Sequence, residues 1–158
     1  IIGLSPTSMK RVLATKFALS LVAMLVASVA LMLLSSNMLA ASPRTQAVAV
    51  GLACAISFAI CGLSTGLGAV FLNLEQRNPS AIVSGFGGTL NLVLSLGFML
   101  AAILPFGFIF HLQNTGKITA RQLDYGVAIG SAWLLTLTIF STVIPLWVGA
   151  RHLRRREF

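Results

Sequence analysis

An all-α integral membrane bundle of four helices is the fold class this sequence predicts, and three observations predict it. Of 158 residues, 57% are hydrophobic and only 9% charged, whereas soluble domains run near a quarter charged. Four apolar stretches are each long enough to cross a hydrocarbon core of about 30 Å, which takes roughly 20 helical residues. None of the four carries Asp, Glu, Lys, Arg or His in its central part. A transmembrane barrel would need short alternating strands, and none is visible. The net charge of +8 could suggest nucleic acid in a soluble chain. Here the basic residues stand at the ends of apolar runs, which points to headgroups and topology and to no nucleic-acid partner.

The spans are expected at 17–40, 47–71, 84–110 and 125–148. Ahead of them, "SPTSMKRVLATKF" (Ser5 to Phe17) predicts a short helix over 1–16. Ser5 can cap it and Pro6 can start it, because the first helical N–H has no partner to lose. Met9, Val12, Leu13 and Phe17 form its apolar side. It can lie on the membrane surface as an anchor or face the cytosol as a rigid element. The chain opens "IIGLSPTSMK", with neither an initiator Met nor a signal-peptide pattern, and is expected to be a piece of a longer polypeptide.

Cys54 and Cys61 sit in the second span, seven residues apart, about two helical turns, which is too far for a disulfide. After that span comes "FLNLEQRNPSAIVSGFGG" (Phe71 to Gly88), a polar, glycine-marked turn in an apolar chain. Asn78 can cap a helix there and Pro79 suits its first position. A helix from Pro79 to Phe110 would be about 48 Å long at ~1.5 Å per residue, so it stands out of the membrane or breaks near Gly85 to Gly88. At its other end, Pro105 and Gly107 are expected to kink or end it. Thr119 with Gln122 three later predicts a capping box, starting the fourth helix before its span. Pro145 should bend that helix, and residues 151–158 form a basic tail.

Four spans put both termini on one side. Lys10, Arg11, Lys16, Arg77, Arg151, Arg154, Arg155 and Arg156 fall on that side, and Arg44, Lys117 and Arg121 on the other, eight against three. The positive-inside bias makes the termini and the 71–88 stretch cytoplasmic. The spacings Gly62-x-x-x-Gly66, Ser64-x-x-x-Gly68 and Gly126-x-x-x-Gly130 let helix backbones approach closely, within the chain or between copies.

The missing chemistry is also informative. Charge-free spans argue against a proton-coupled transporter or a membrane hydrolase, and no polar ring suggests a passive channel. His111 and His152 lack metal-ligand spacing, so no metal site is expected. Without a G-x-x-x-x-G-K-[ST] loop, no catalytic residues and no bound cofactor are expected in this chain.

The turn resembles that of bacterial ABC-2 type permeases, in the stretch F-P-[DN]-F-x-x-x-N-P-x-x-[IV]-x-S-x-F-G-G. Phe71, Asn73, Asn78, Pro79, Ile82, Ser84, Phe86, Gly87 and Gly88 match, and Glu75 and Arg77 lie within it. Leu72 replaces a proline and Leu74 an aromatic. Pro6, Ser8, Lys10, Arg11 and Lys16 are similar to that family's cytosolic segment that couples to an ATPase, and "RHLRRREF" resembles its tail. The resemblance implies the C-terminal half of a permease in the bacterial cytoplasmic membrane, not itself an enzyme. It would export substrate with energy from a separate ABC ATPase subunit that holds ATP and Mg, beside a second permease copy or half. The other reading is a non-transporting four-helix scaffold.

Overall fold

The computed structural model describes residues 9–71 and 86–154. All four elements found there are helices: α1 (Met9–Met38), α2 (Pro43–Val70), α3 (Phe86–Asn114) and α4 (Ala120–Arg154). Each is long and apolar enough to cross a membrane. The expected starts at Ser5-Pro6 and Asn78-Pro79 lie outside the described residues. From Met9 onward α1 runs unbroken into the first span.

Local chemistry sets the helix ends. Ser42 caps α2, its hydroxyl accepting from the Thr45 backbone N–H at 3.3 Å, and Pro43 takes the first position, so α2 starts a turn ahead of the expected span. Thr119 starts α4 as expected: Gln122 Oε1 accepts from the Thr119 backbone N–H at 2.9 Å and from its hydroxyl at 3.2 Å. Two C-termini close with paired bonds. Gly116 (φ 70°) donates to Gln113 O and Lys117 to Leu112 O, both at 3.0 Å. Ala40 repeats the motif at φ 49°, with Ala40 donating to Asn37 O and Ala41 to Ser36 O; there the left-handed position falls on a residue with a Cβ. Pro105 does not end α3, which continues to Asn114.

α2 is the central helix and touches the other three, whereas α1 and α3 do not meet. Ala55 and Ala59 of α2 pack with Phe98, Ala102 and Phe106 of α3 and Leu134 of α4. The α2–α4 seam is closer still. A Cβ at Gly62 would stand 2.6 Å from the Thr142 Cα, one at Gly66 would overlap the backbone of Pro145, and one at Gly149 would stand 2.7 Å from Gly66 O. Cys61 is buried beside this seam and Cys54 is partly buried; both are free. α1 is the most open helix, with Leu19, Val26 and Leu31 each about two-thirds exposed or more. It is tied to α2 by Ser28 and Ser57, whose hydroxyls lie 2.9 Å apart, with Ser57 also donating to Ala53 O at 2.8 Å.

The seam makes a prediction. Gly66→Ala should destabilise the detergent-solubilised protein by about 1–3 kcal/mol, because its methyl meets backbone that cannot yield. Gly51→Ala in the same helix has nothing within 4 Å and should be neutral or gain up to about 1 kcal/mol in helix propensity. Unfolding in SDS measures both; equal effects would mean that the seam does not constrain the bundle.

Candidate functional site

The stretch that stood out in the sequence joins the ends of α2 and α3. Phe71 caps α2, its N–H donating to Leu67 O at 2.9 Å. Its ring meets the Phe86 ring edge-on, with centroids 5.7 Å apart and planes at 71°. A Cβ on Gly87 would stand 2.7 Å from Phe71 Cβ and 2.8 Å from Cγ. These are the stiff base of the side chain, so Phe71, Phe86 and Gly87 form a clamp that only glycine admits. Gly88 continues α3. Asn73, Glu75, Arg77, Asn78, Pro79 and Ser84 lie outside the described residues. A turn and more into α3, Asn91 Nδ2 donates to Ser64 Oγ at 3.2 Å, bridging α3 to α2.

The other candidate residues scatter around this end and the opposite one. Pro6 and Ser8 lie outside the described residues, Lys10 stands within α1, and Arg11 and Lys16 are exposed on it. Gly62 and Gly66 meet α4 as described, while Gly68 has nothing within 4 Å. A Cβ at Gly126 would stand 3.3 Å from Ile109 and one at Gly130 3.2 Å from Phe106, so this glycine pair receives side chains of α3 rather than backbone. At the far end Arg44 pairs with Asp124 at 2.8 Å, joining the starts of α2 and α4. Both side chains are more than half exposed, so the pair contributes at most about 1 kcal/mol.

Sequence reasoning missed three partners. Thr142 and Pro145 receive the α2 glycines, and their signal was only a proline in a span. Ser42-Pro43-x-Thr45 was a legible cap. The third is Trp133, whose indole Nε1–H donates to Ala101 O at 3.3 Å.

Over residues 1–158 the chain matches the family described as "Putative ATP-binding cassette". No curated protein and no solved structure matches it. The description is of a nucleotide-binding family and not of an ABC-2 permease, and it overturns four expectations. The resemblance to ABC-2 permeases is corrected, and so is the function built on it, a permease subunit driven by a separate ATPase. The scaffold alternative gains no support. That the chain is not an enzyme and that no nucleotide belongs to it conflict with a cassette description, which implies ATP binding and hydrolysis. The physical reason for the error is local: the matched residues that are described build a helix-end clamp, and a packing motif of that kind does not say what the protein binds.

A nucleoside triphosphate needs a cradle of free backbone N–H groups with a lysine and a hydroxyl beside it. The nearest approach is Gly116-Lys117. The position five before Gly116 holds His111 instead of glycine, and Ile118 follows the lysine. The N–H groups of Gly116 and Lys117 are already spent on Gln113 O and Leu112 O. Among the described residues there is no strand and no group of three or more His, Cys, Asp or Glu that could hold a metal. The described residues therefore do not fit the nucleotide, and no chemical step is drawn through it.

The clamp yields a test. Gly87→Ala should lower stability by about 1–3 kcal/mol through overpacking, and Phe71→Gly, which removes the Cβ that the new methyl would meet, should relieve most of that cost in the double variant. SDS unfolding of the four proteins measures the coupling; additive effects would show that the residues do not meet. What the whole-chain match establishes is that the protein belongs to the family described as "Putative ATP-binding cassette".

Proposed function

We propose that residues 1–158 form a bundle of four membrane-spanning helices within a protein of the ATP-binding-cassette family in the cytoplasmic membrane. The observation that carries this is the bracketing of the charge-free apolar stretch of α4 by an aromatic–basic pair at each end. Arg121 lies over the Tyr125 ring at 5.9 Å near one end of α4, and Arg151 over the Trp147 ring at 5.3 Å near the other. Such pairs suit the headgroup level, where a ring meets lipid and a guanidinium meets water. Between them α4 has no charged side chain.

The excess of basic residues supports termini and a 72–85 connection that face the cytosol. In this arrangement residues 17–150 are the membrane domain and 151–158 a cytosolic tail. The segment 1–16, with Pro6, Ser8, Lys10, Arg11 and Lys16, and the clamp at Phe71, Phe86 and Gly87 lie on the cytosolic face. Nucleotide-driven motion enters the helices there, with α2 and α4 moving as one unit because their backbones interlock at Gly62, Gly66 and Gly149. Lipid covers the outer faces of α1 and α3.

The experiment uses the full-length protein with Cys54 and Cys61 replaced by serine. Ser42→Cys and Gln113→Cys should react with a membrane-impermeant maleimide in intact cells, and Gln76→Cys only after lysis. In purified protein in nanodiscs, Mg-ATP should then change the Gln76→Cys labelling rate several-fold. Labelling of Gln76→Cys in intact cells would invert the orientation; a rate indifferent to saturating ATP would separate these helices from nucleotide.

A further inference from the structure

Pro105 lies inside α3 and has no N–H, so the carbonyl four residues earlier, that of Ala101, loses its helical donor. In hydrocarbon no water can replace that donor. The indole of Trp133 does so from the neighbouring helix, its Nε1–H reaching Ala101 O at 3.3 Å. Beyond the proline, α3 meets α4 through side chains laid on glycines, with Phe106 buried in the core cluster beside Leu134. Phe106 packs over Gly130 and Ile109 over Gly126, with side-chain atoms 3.2 and 3.3 Å from where a Cβ would stand. Trp133 lies roughly 12 Å along α4 from Tyr125, at ~1.5 Å per residue, and so inside the apolar span.

We propose that Trp133 is a latch across the break at Pro105, holding the 105–114 end of α3 against the glycine face of α4. The bond, at 3.3 Å, is the hydrogen bond given to the carbonyl that Pro105 leaves without a helical donor. Glycines at 126 and 130 let Phe106 and Ile109 lie close on α4, where Phe106 also packs in the core cluster with Leu134. The other intrahelical proline differs: Gly66 packs directly on the Pro145 backbone, which leaves that site no freedom. The fold thus has a fixed proline in its α2–α4 seam and a latched one in its α3–α4 seam.

Amide hydrogen exchange of the full-length protein in nanodiscs tests this. Trp133→Phe keeps a ring but removes the donor, and should speed exchange over 106–112 several-fold while leaving 55–66 of α2 unchanged. Pro105→Ala restores the missing N–H and should by itself slow exchange over 106–112. In the Pro105→Ala background Trp133→Phe should then have no effect, whereas mere loss of ring volume would act equally in both backgrounds. Equal effects in both backgrounds, no effect of Trp133→Phe alone, or no slowing by Pro105→Ala would each overturn the latch.

Discussion

Inside a bilayer, helices gain nothing from hiding apolar surface from one another, because lipid tails are as apolar as leucine; close packing and hydrogen bonds must hold them instead. In the proposed bilayer setting, the rest of the fold depends on how α2 and α4 meet that constraint. Gly62 admits the Thr142 backbone, Gly66 admits Pro145, and Gly149 approaches the Gly66 carbonyl. Backbone contact of this kind maximises dispersion over a short length and brings Cα–H groups near carbonyls. It also fixes α2 as the centre, so that α1 and α3 attach to it on separate sides. Their attachments are thinner: one hydroxyl pair for α1, and for α3 the Asn91–Ser64 bond with the alanine–phenylalanine cluster.

The same solvent dictates the polar side chains. Ser57, Ser131, Thr136 and Thr138 donate to the carbonyl four residues back, at 2.7–2.8 Å. These hydroxyls find a partner within their own helix, whereas the hydroxyls of Ser95 and Thr142 are buried without one. Proline breaks the scheme because it removes a donor that nothing local replaces. At Pro105 a neighbouring helix supplies the donor, through Trp133, whereas at Pro145 the neighbouring Gly66 packs against the proline without replacing the lost bond.

Only helices and closed barrels satisfy backbone polar groups in lipid and the sequence shows no short alternating strands, so composition and run length made the four helices legible. Their ends were less so. Thr119 with Gln122 was readable as a cap, and Ser42-Pro43 carried the same kind of signal but was passed over for the hydropathy of Ala47 onward. The Gly62-x-x-x-Gly66 spacing announced a close approach without naming its partner, because Thr142 and Pro145 are some 80 residues away in sequence and spacing encodes no distant address. The same holds for Ala101 and Trp133. At the candidate site, the glycine-marked turn was visible, but its residues were tied to the wrong family. Phe71, Phe86 and Gly87 answer a local steric need at two helix ends, and such a need recurs wherever a hairpin must close tightly. Nucleotide binding, which the family description brings, had no residue pattern in these 158 positions from which it could be read.

The central claim is a lipid-embedded bundle closed around α2. It is tested most directly by photolabelling the full-length protein in native membranes with a lipid-soluble carbene precursor and mapping the adducts by mass spectrometry. Adducts should fall on Leu19, Val26 and Leu31 of α1 and on Leu92, Leu96 and Leu104 of α3, all more than half exposed in the bundle. They should spare Ala55, Ala59, Cys61 and Leu63 of α2, which are buried. Labelling of that α2 face as heavy as that of α1, or no labelling of any helix in intact membranes, would contradict the account.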